Sequence, residues 1–445
     1  MKVELAGHYG FRRLVTTSLP TVAMMIVTSV YSIVDGFFVS NFAGSTAFAA
    51  LNLVWPAIAL VSALGLMIGT GGSALVSKTL GEGDAARARS VFSLLTYLCL
   101  AVGVIGSVLL VVFMEPIVVA LGADGDMVAP AVGYGRIVSL SMPFFMLQMA
   151  FQSFYMTAEK PQLGARMSVV CGCVNIALDA LFIVGFGWGL NGAAVATALA
   201  LSAGGVYPLV YFTSRRNVSA LHLEKVTSVD WRAVLKSCSN GMSEFVGNVA
   251  LSVVSIGYNL QLMRFIGEDG VSAYGIIMYV GFIFAAVFIG YNLCVSQVVA
   301  YNYGAGNRAE LRSLLRKSAV LVGAAGVLVT LLAEVSAPVV CSLFVGYDGA
   351  LCSLSVHALR IYMLSFLLCG FNMFCSAWFT ALNNGMVSAV AAFVRTLVFE
   401  LGTVLVLPSL VGMDGIWCSV IVAEVLAFIM TTALILGFRK RYLKD

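Results

Sequence analysis

The chain has 445 residues, 60% of them hydrophobic and only 10% charged. Soluble domains average about 25% charged residues, so these charges are too few for a water-facing surface, and lipid must cover most of the protein. The net charge of +4 is small and dispersed, which excludes the clustered basic footprint of a nucleic-acid-binding protein.

A stretch that crosses a bilayer needs about 20 apolar residues. Twelve such stretches are predicted, over residues 14–39, 50–77, 91–113, 131–156, 164–186, 190–212, 237–263, 271–300, 316–335, 355–380, 387–408 and 414–438. Backbone groups in lipid must be satisfied within their own segment, so the spans are read as helices. The polar start through Arg13 runs directly into the first of them, which reads as a membrane helix and not as a cleavable signal peptide. The ten cysteines sit mainly in apolar runs, as Cys99, Cys171, Cys294 and Cys375 do. They read as small reduced hydrophobes, and Cys171-Gly172-Cys173 lacks zinc-site spacing.

Orientation follows from lysine and arginine. With the amino terminus in the cytoplasm, 22 of the 25 basic residues fall on the cytoplasmic side, Arg395 among them; Arg136, Arg264 and Arg360 are the exceptions. Both termini are then cytoplasmic, and a multi-pass protein of the cell (inner) membrane is expected.

The chain also repeats itself. Ser29, Ser32 and Ile33 face Ser252, Ser255 and Ile256; Gly81, Gly83 and Arg89 face Gly304, Gly306 and Arg312; Gly189 and Gly192 face Gly412 and Gly415, all at one spacing. The unit is six helices. An even number makes both units enter the membrane from one side, so they relate by a pseudo-two-fold axis along the membrane normal. The expected architecture is an all-α membrane protein with twelve transmembrane helices in two pseudo-symmetric six-helix lobes around a central cleft. The lobes would be residues 1–212 and 237–445, joined by a cytoplasmic linker at 213–236.

Three motifs carry a resemblance: PTVAMMIVTSVYSIVDGFFVS from Pro20, NIALDALFIVGFGWGLNGAAVAT from Asn175, and SQVVAYNYGAGNRAELR from Ser296, with GEGDAARAR from Gly81 as the counterpart of the last. Over nearly its whole length the chain resembles the multidrug and toxic compound extrusion (MATE) family, and within it the DinF-like branch. The resemblance implies export driven by inward flow of Na⁺ or H⁺. It also implies that Asp35, Asn175, Asp179 and Thr197 form the cation site, and it ties a bend of the first helix to Pro20.

Five acids fall within predicted spans: Asp35, Asp179, Glu244, Glu400 and Glu424. An acid at membrane depth is a functional candidate by default. At 1.5 Å per helical residue, Asp35 lies about 6 Å and Asp179 about 10 Å below the outer boundary. Thr197 is at a similar depth, and Asn175 with Asp179, like Tyr31 with Asp35, shares a helix face at i, i+4. Such oxygens suit Na⁺, and two neighbouring carboxylates equally suit a proton. Glu244 reads either as a carboxylate facing cationic substrates or as a helix-start acid on the favourable dipole end; Glu400 and Glu424 read as structural. Pro20 reads as a hinge or as a tolerated kink. Met24, Met25, Gln148, Gln152 and Phe154 are candidates for an adaptable substrate cavity.

No Walker A loop and no His-Glu-x-x-His motif occurs, so neither an enzyme nor a cofactor is expected. The expected function is alternating-access export of small amphipathic, mostly cationic organic compounds by a monomer. The alternative is a lipid-linked oligosaccharide flippase, which would need basic residues at the centre of its spans to hold pyrophosphate.

Overall fold

The computed structural model describes residues 4–43, 45–215, 217–226, 228–346 and 348–443; Lys2, Arg216 and Lys444, counted above for orientation, lie outside them. All twelve expected spans are helical. They are α1 (Phe11–Phe38), α2 (Ser45–Gly81), α3 (Ala85–Ala120), α4 (Val128–Leu140 with Met142–Thr157), α5 (Pro161–Asp179) and α6 (Gly189–Thr213). The second six are α7 (Trp231–Phe265), α8 (Glu268–Gly304), α9 (Arg308–Val345), α10 (Gly349–Met363 with Phe366–Ala381), α11 (Gly385–Val411, with a π-helical stretch at Val394–Glu400) and α12 (Asp414–Leu443).

Two of the spans are broken, by 60° in α4 and by 47° in α10. In α4 the break precedes Pro143, which lacks an N–H and disfavours the helical conformation of the residue before it. In α10 the Ser365 hydroxyl donates to the Tyr362 carbonyl at 2.7 Å, a local bond that competes with the helical ladder. The fifth helix of each half also carries a π stretch, Ala180–Gly185 after α5 and Val394–Glu400 within α11.

Each half has its own apolar core. The halves meet at the end that carries most of the lysines and arginines, where α2 lies along α7 and α8 and α1 lies along α8. Glycines permit the approach. A Cβ on Gly81 would strike the Tyr301 carbonyl, and one on Gly304 would strike the Lys78 carbonyl. Because Gly81 and Gly304 are repeat equivalents, the contact is reciprocal, as a two-fold relation requires. The next glycines, Gly83 and Gly306, take left-handed φ values of 87° and 69°, which glycine adopts without steric cost. Asp84 and Asn307 then cap α3 and α9 through the Arg87 and Glu310 N–H groups. The repeated Gly-x-Gly-Asp/Asn motif is thus a contact, a turn and a cap in succession. Beside it Gln297, 1% exposed, ties three helices together. Its Oε1 accepts from Ser77 at 2.9 Å and from Thr157 at 3.1 Å, and its Nε2 donates to Ser73 at 2.9 Å.

The chain start adds a strap across this seam. The Leu5 N–H donates to Glu159 of the first half at 2.7 Å, while the Tyr9 N–H donates to Glu310 of the second at 2.8 Å. Lys317 donates to the Tyr9 carbonyl at 2.6 Å. Leu5 and Tyr9, which precede the first helix, and Leu14 in its first turn are buried in the core of the second half. The connection between halves is shorter than the expected linker: α6 ends at Thr213 and α7 starts at Trp231. Part of it packs on the first half, with Leu221 buried there and the Glu224 N–H donating to Ser93 at 2.9 Å.

One expectation is corrected. Arg395 does not sit at the cytoplasmic boundary; it lies within α11, at the π stretch, and pairs with Glu424 of α12. Its Nε donates to Glu424 Oε1 at 3.0 Å and its Nη2 donates to the same atom at 2.5 Å. The Asn372 amide donates to Glu424 Oε2 at 2.5 Å, and Thr431 donates to Asn372 Oδ1 at 2.8 Å. The counting of basic residues missed it because a residue ten positions from a loop is assigned to that loop by sequence alone.

Arg395→Gln is expected to destabilise the protein by about 3 kcal/mol, since the 4%-exposed Glu424 would lose its counter-charge. Arg395→Met with Glu424→Leu is expected to recover most of that loss; thermal unfolding in detergent checks both. Gly81→Val and Gly304→Val are each expected to cost about 1–3 kcal/mol by overpacking and to speed thiol labelling of a Ser77→Cys reporter. Unchanged melting and unchanged labelling would mean that the seam is not closed there.

Candidate functional site

The site candidates depend on how closely α1 and α5 cross. Gly172 of α5 lies against the Tyr31 side chain, 3.3 Å from where its Cβ would be. A larger residue would hold the helices apart. One turn further along α1 comes Asp35, and along α5 come Asn175 and then Asp179, the last α-helical residue before the π stretch. Asp179 and Asn175 neighbour Asp35, and the Thr197 hydroxyl of α6 donates to Asp35 Oδ1 at 3.4 Å. The structure therefore brings the four residues carried over from the resemblance together.

Their burial is the telling feature. Asn175 is 2% exposed, Asp179 0% and Thr197 8%. Neither carboxylate oxygen of Asp179, nor the Asn175 Oδ1, accepts a hydrogen bond within the protein. Buried polar atoms are seldom left without partners, because each carries its full desolvation cost. Here three acceptors are left open together, beside a second carboxylate. π-Helical turns recur at functional sites, and one begins at the residue after Asp179.

Sequence reasoning missed one member. Tyr134 of α4 is fully buried, lies beside Thr197 and within electrostatic range of Asp35 and Asp179, and its hydroxyl also lacks a hydrogen-bond partner. It stands six residues from the start of α4, about 9 Å down. The depth rule that found the acids would have found this tyrosine had hydroxyl groups been included.

The cavity candidates divide. Met24, Gln148 and Gln152 line a small gap with Tyr155 and Cys171 inside the first half. Gln148 keeps an unpartnered Oε1 there, and Gln152 donates to the Met149 sulfur at 3.7 Å. Met25 is half-buried on α1. Phe154, expected at the cavity, is instead 1% exposed within an aromatic cluster with Phe92 and Phe151. It is a packing residue of the first core. Glu244 is half-buried on α7, and its carboxylate has no hydrogen-bond or ion-pair partner among the described residues. It stands thirteen residues inside the helix, which removes the helix-start reading. Pro20 lies within the continuous α-helix Phe11–Phe38.

Comparison with known proteins places the fold. The MatE family model matches twice, over residues 20–181 and 245–405, one match to each half. The chain is 23% identical over 435 residues to the multidrug export protein MepA of Staphylococcus aureus (strain MRSA252), covering 98% of this chain and 95% of the relative. Its fold matches a crystal structure of MATE in the straight conformation with a TM-score of 0.91 at 21% identity, covering 98% of both chains. It also matches a multidrug resistance MATE family transporter of the MOP superfamily in an outward-facing conformation, with a TM-score of 0.90 at 22% identity and 98% coverage of both. Two six-helix halves, each recognised by the same model, identify the chain as a member of the MatE family, a multi-pass membrane transporter and not an enzyme.

Proposed function

We propose that this transporter exports small amphipathic, mostly cationic organic compounds across the cell membrane in exchange for Na⁺ or H⁺. The observation that carries the reading is the buried group of open acceptors: Asp179, Asn175 and Tyr134 facing Asp35 and Thr197. Two carboxylates, an amide oxygen and two hydroxyls form a hard oxygen set suited to Na⁺. The same carboxylate pair holds a proton readily, because two like charges in a dry site disfavour full ionisation. This ion site belongs to the DinF-like pattern, and it has no twin in the second half, where Tyr258 stands at the position equivalent to Asp35.

In this reading the basic end faces the cytoplasm, with both termini there. The halves, 1–212 and 237–445, rock as a monomer about the seam at Gly81 and Gly304. A cation entering from outside offsets one charge of the Asp35–Asp179 pair and lowers the electrostatic cost of burying it. The cation-loaded site favours a rearrangement of α1 against α5, with Pro20 as the hinge. Met24, Met25, Gln148, Gln152 and Glu244 would meet the substrate, and Glu244 supplies the negative charge a cationic compound needs. The relative's description as a multidrug export protein supports a broad substrate range.

The flippase alternative finds no added support. Arg395 is a basic residue within a span, yet its Nε and Nη2 both donate to Glu424, which pairs its charge. It offers no free cation to a pyrophosphate.

The test is efflux of ethidium from proteoliposomes under an imposed Na⁺ gradient or an imposed pH gradient. Wild-type protein is expected to respond to one of them. Asp35→Asn and Asp179→Asn are each expected to fall to the rate of protein-free vesicles while remaining monodisperse and folded. Wild-type rates in both variants would remove the ion-site assignment. Tyr134→Phe is expected to weaken ion dependence without abolishing efflux, read as a rise in the ion concentration for half-maximal transport.

A further inference from the structure

At the basic end a cavity of about 280 Å³ opens between the two halves. Arg87 from the first turn of α3, together with Arg232 and Lys236 from the first turns of α7, bring three positive charges to its rim. Leu75 and Val91 form an apolar floor. The ammonium of Lys78 lies within electrostatic range of Lys236.

The counter-charge is thin. Asp230 lies 4.0 Å from Arg87, and its other oxygen is spent capping α7 through the Ala233 N–H at 3.1 Å. Lys78 is paired with Glu82 at 3.2 Å. Lys236 donates only to a neutral group, the Asn383 carbonyl at 2.6 Å. Arg232 has no hydrogen-bond or ion-pair partner among the described residues. Arg87 and Arg232 also stand at helix N-termini, the positive ends of the dipoles, where a cation is disfavoured. Asp84 and Asp230 already cap these two helix ends, so the added anion is called for by the side-chain charges: one anion between them would bridge Arg87 and Arg232.

We propose that this cavity binds the phosphate of an anionic phospholipid headgroup, and that the lipid bridges the two halves while the basic end is closed. The shared chemistry is a phosphate group. A lipid fits better than free phosphate because the floor is apolar, which suits the glycerol and upper acyl chain. Trp231, 64% exposed beside Arg232, is an interfacial anchor of the kind found at headgroup level. Basic pockets between membrane helices at a cytoplasmic surface hold such headgroups by attraction and desolvation together. The lining residues belong to α2 and α3 of one half and α7 of the other, so the complete site exists only while the seam is shut.

Native mass spectrometry of the purified full chain, with phosphatidylglycerol or phosphatidylcholine added in equal amounts, tests the proposal. Wild-type protein is expected to retain phosphatidylglycerol selectively. Arg87→Gln with Arg232→Gln is expected to weaken that binding by roughly thirty-fold, from the usual worth of two surface cations near anionic lipid. Both side chains are exposed, and the single variant Arg232→Gln, which breaks no contact in the protein, guards against misfolding by giving an intermediate loss. Equal retention of both lipids by wild-type protein, or unchanged phosphatidylglycerol binding in both variants, would overturn the proposal. If inorganic phosphate displaces phosphatidylglycerol at equal concentration, the site takes free phosphate and the lipid assignment is wrong.

Discussion

A carboxylate taken below the surface of a bilayer must either meet a fixed counter-charge or accept a mobile one, because the surrounding hydrocarbon offers no water to solvate it. The two halves of this protein answer that demand differently. In the second half Glu424 is held by Arg395 and Asn372, with Glu400 in electrostatic range of both charges of the pair. In the first half Asp179 reaches only another acid and neutral oxygens, and no lysine, arginine or histidine forms an ion pair with it among the described residues. The ion-paired cluster ties α11 to α12. The other group keeps its acceptors open. A duplicated architecture has thus been divided between a structural charge group and a group with vacant acceptors.

Transmission between such a site and the far side of the membrane requires bodies that move as units and a contact surface that separates cleanly. The separate apolar cores supply the bodies. The seam supplies the surface: backbone meets backbone at Gly81 and Gly304. Gln297 sets the register of that contact through three hydroxyl groups of the opposing half. Contacts of this kind are short-ranged and depend on shape, so they are lost together when the helices move apart. That behaviour suits a two-state closure better than a gradual one.

Much of the fold was legible in the sequence. Lipid imposes one strong rule, and twelve apolar stretches obeyed it; the repeat spacing then set the symmetry. The ion-site candidates were legible because membrane depth can be counted along a helix, so Asp35, Asp179 and Thr197 could be placed at similar depths, with Asn175 on the face of Asp179; the resemblance supplied the grouping of the four. What escaped depends on contacts between distant parts of the chain. Arg395 looked like a boundary residue because its partner lies 29 positions away. Phe154 looked like a cavity wall because an apolar side chain in a span carries no mark of which face it occupies. The breaks in α4 and α10 were hidden because each piece is as apolar as an unbroken helix. The path of the first residues was also hidden, since nothing in Leu5 or Tyr9 indicates that they pack on helices more than 250 positions on.

That path has a mechanical consequence. Leu5 is fastened to one half and Tyr9 to the other, with four residue steps between the fastened amides. A fully extended chain covers at most about 3.6 Å per residue, so this leash pays out to roughly 14 Å and no further. Any opening of the basic end beyond that length must first detach the leash from Glu159 or from Glu310. The segment Leu5–Tyr9 therefore sets an upper limit on how far the two bodies can part while both fastenings hold.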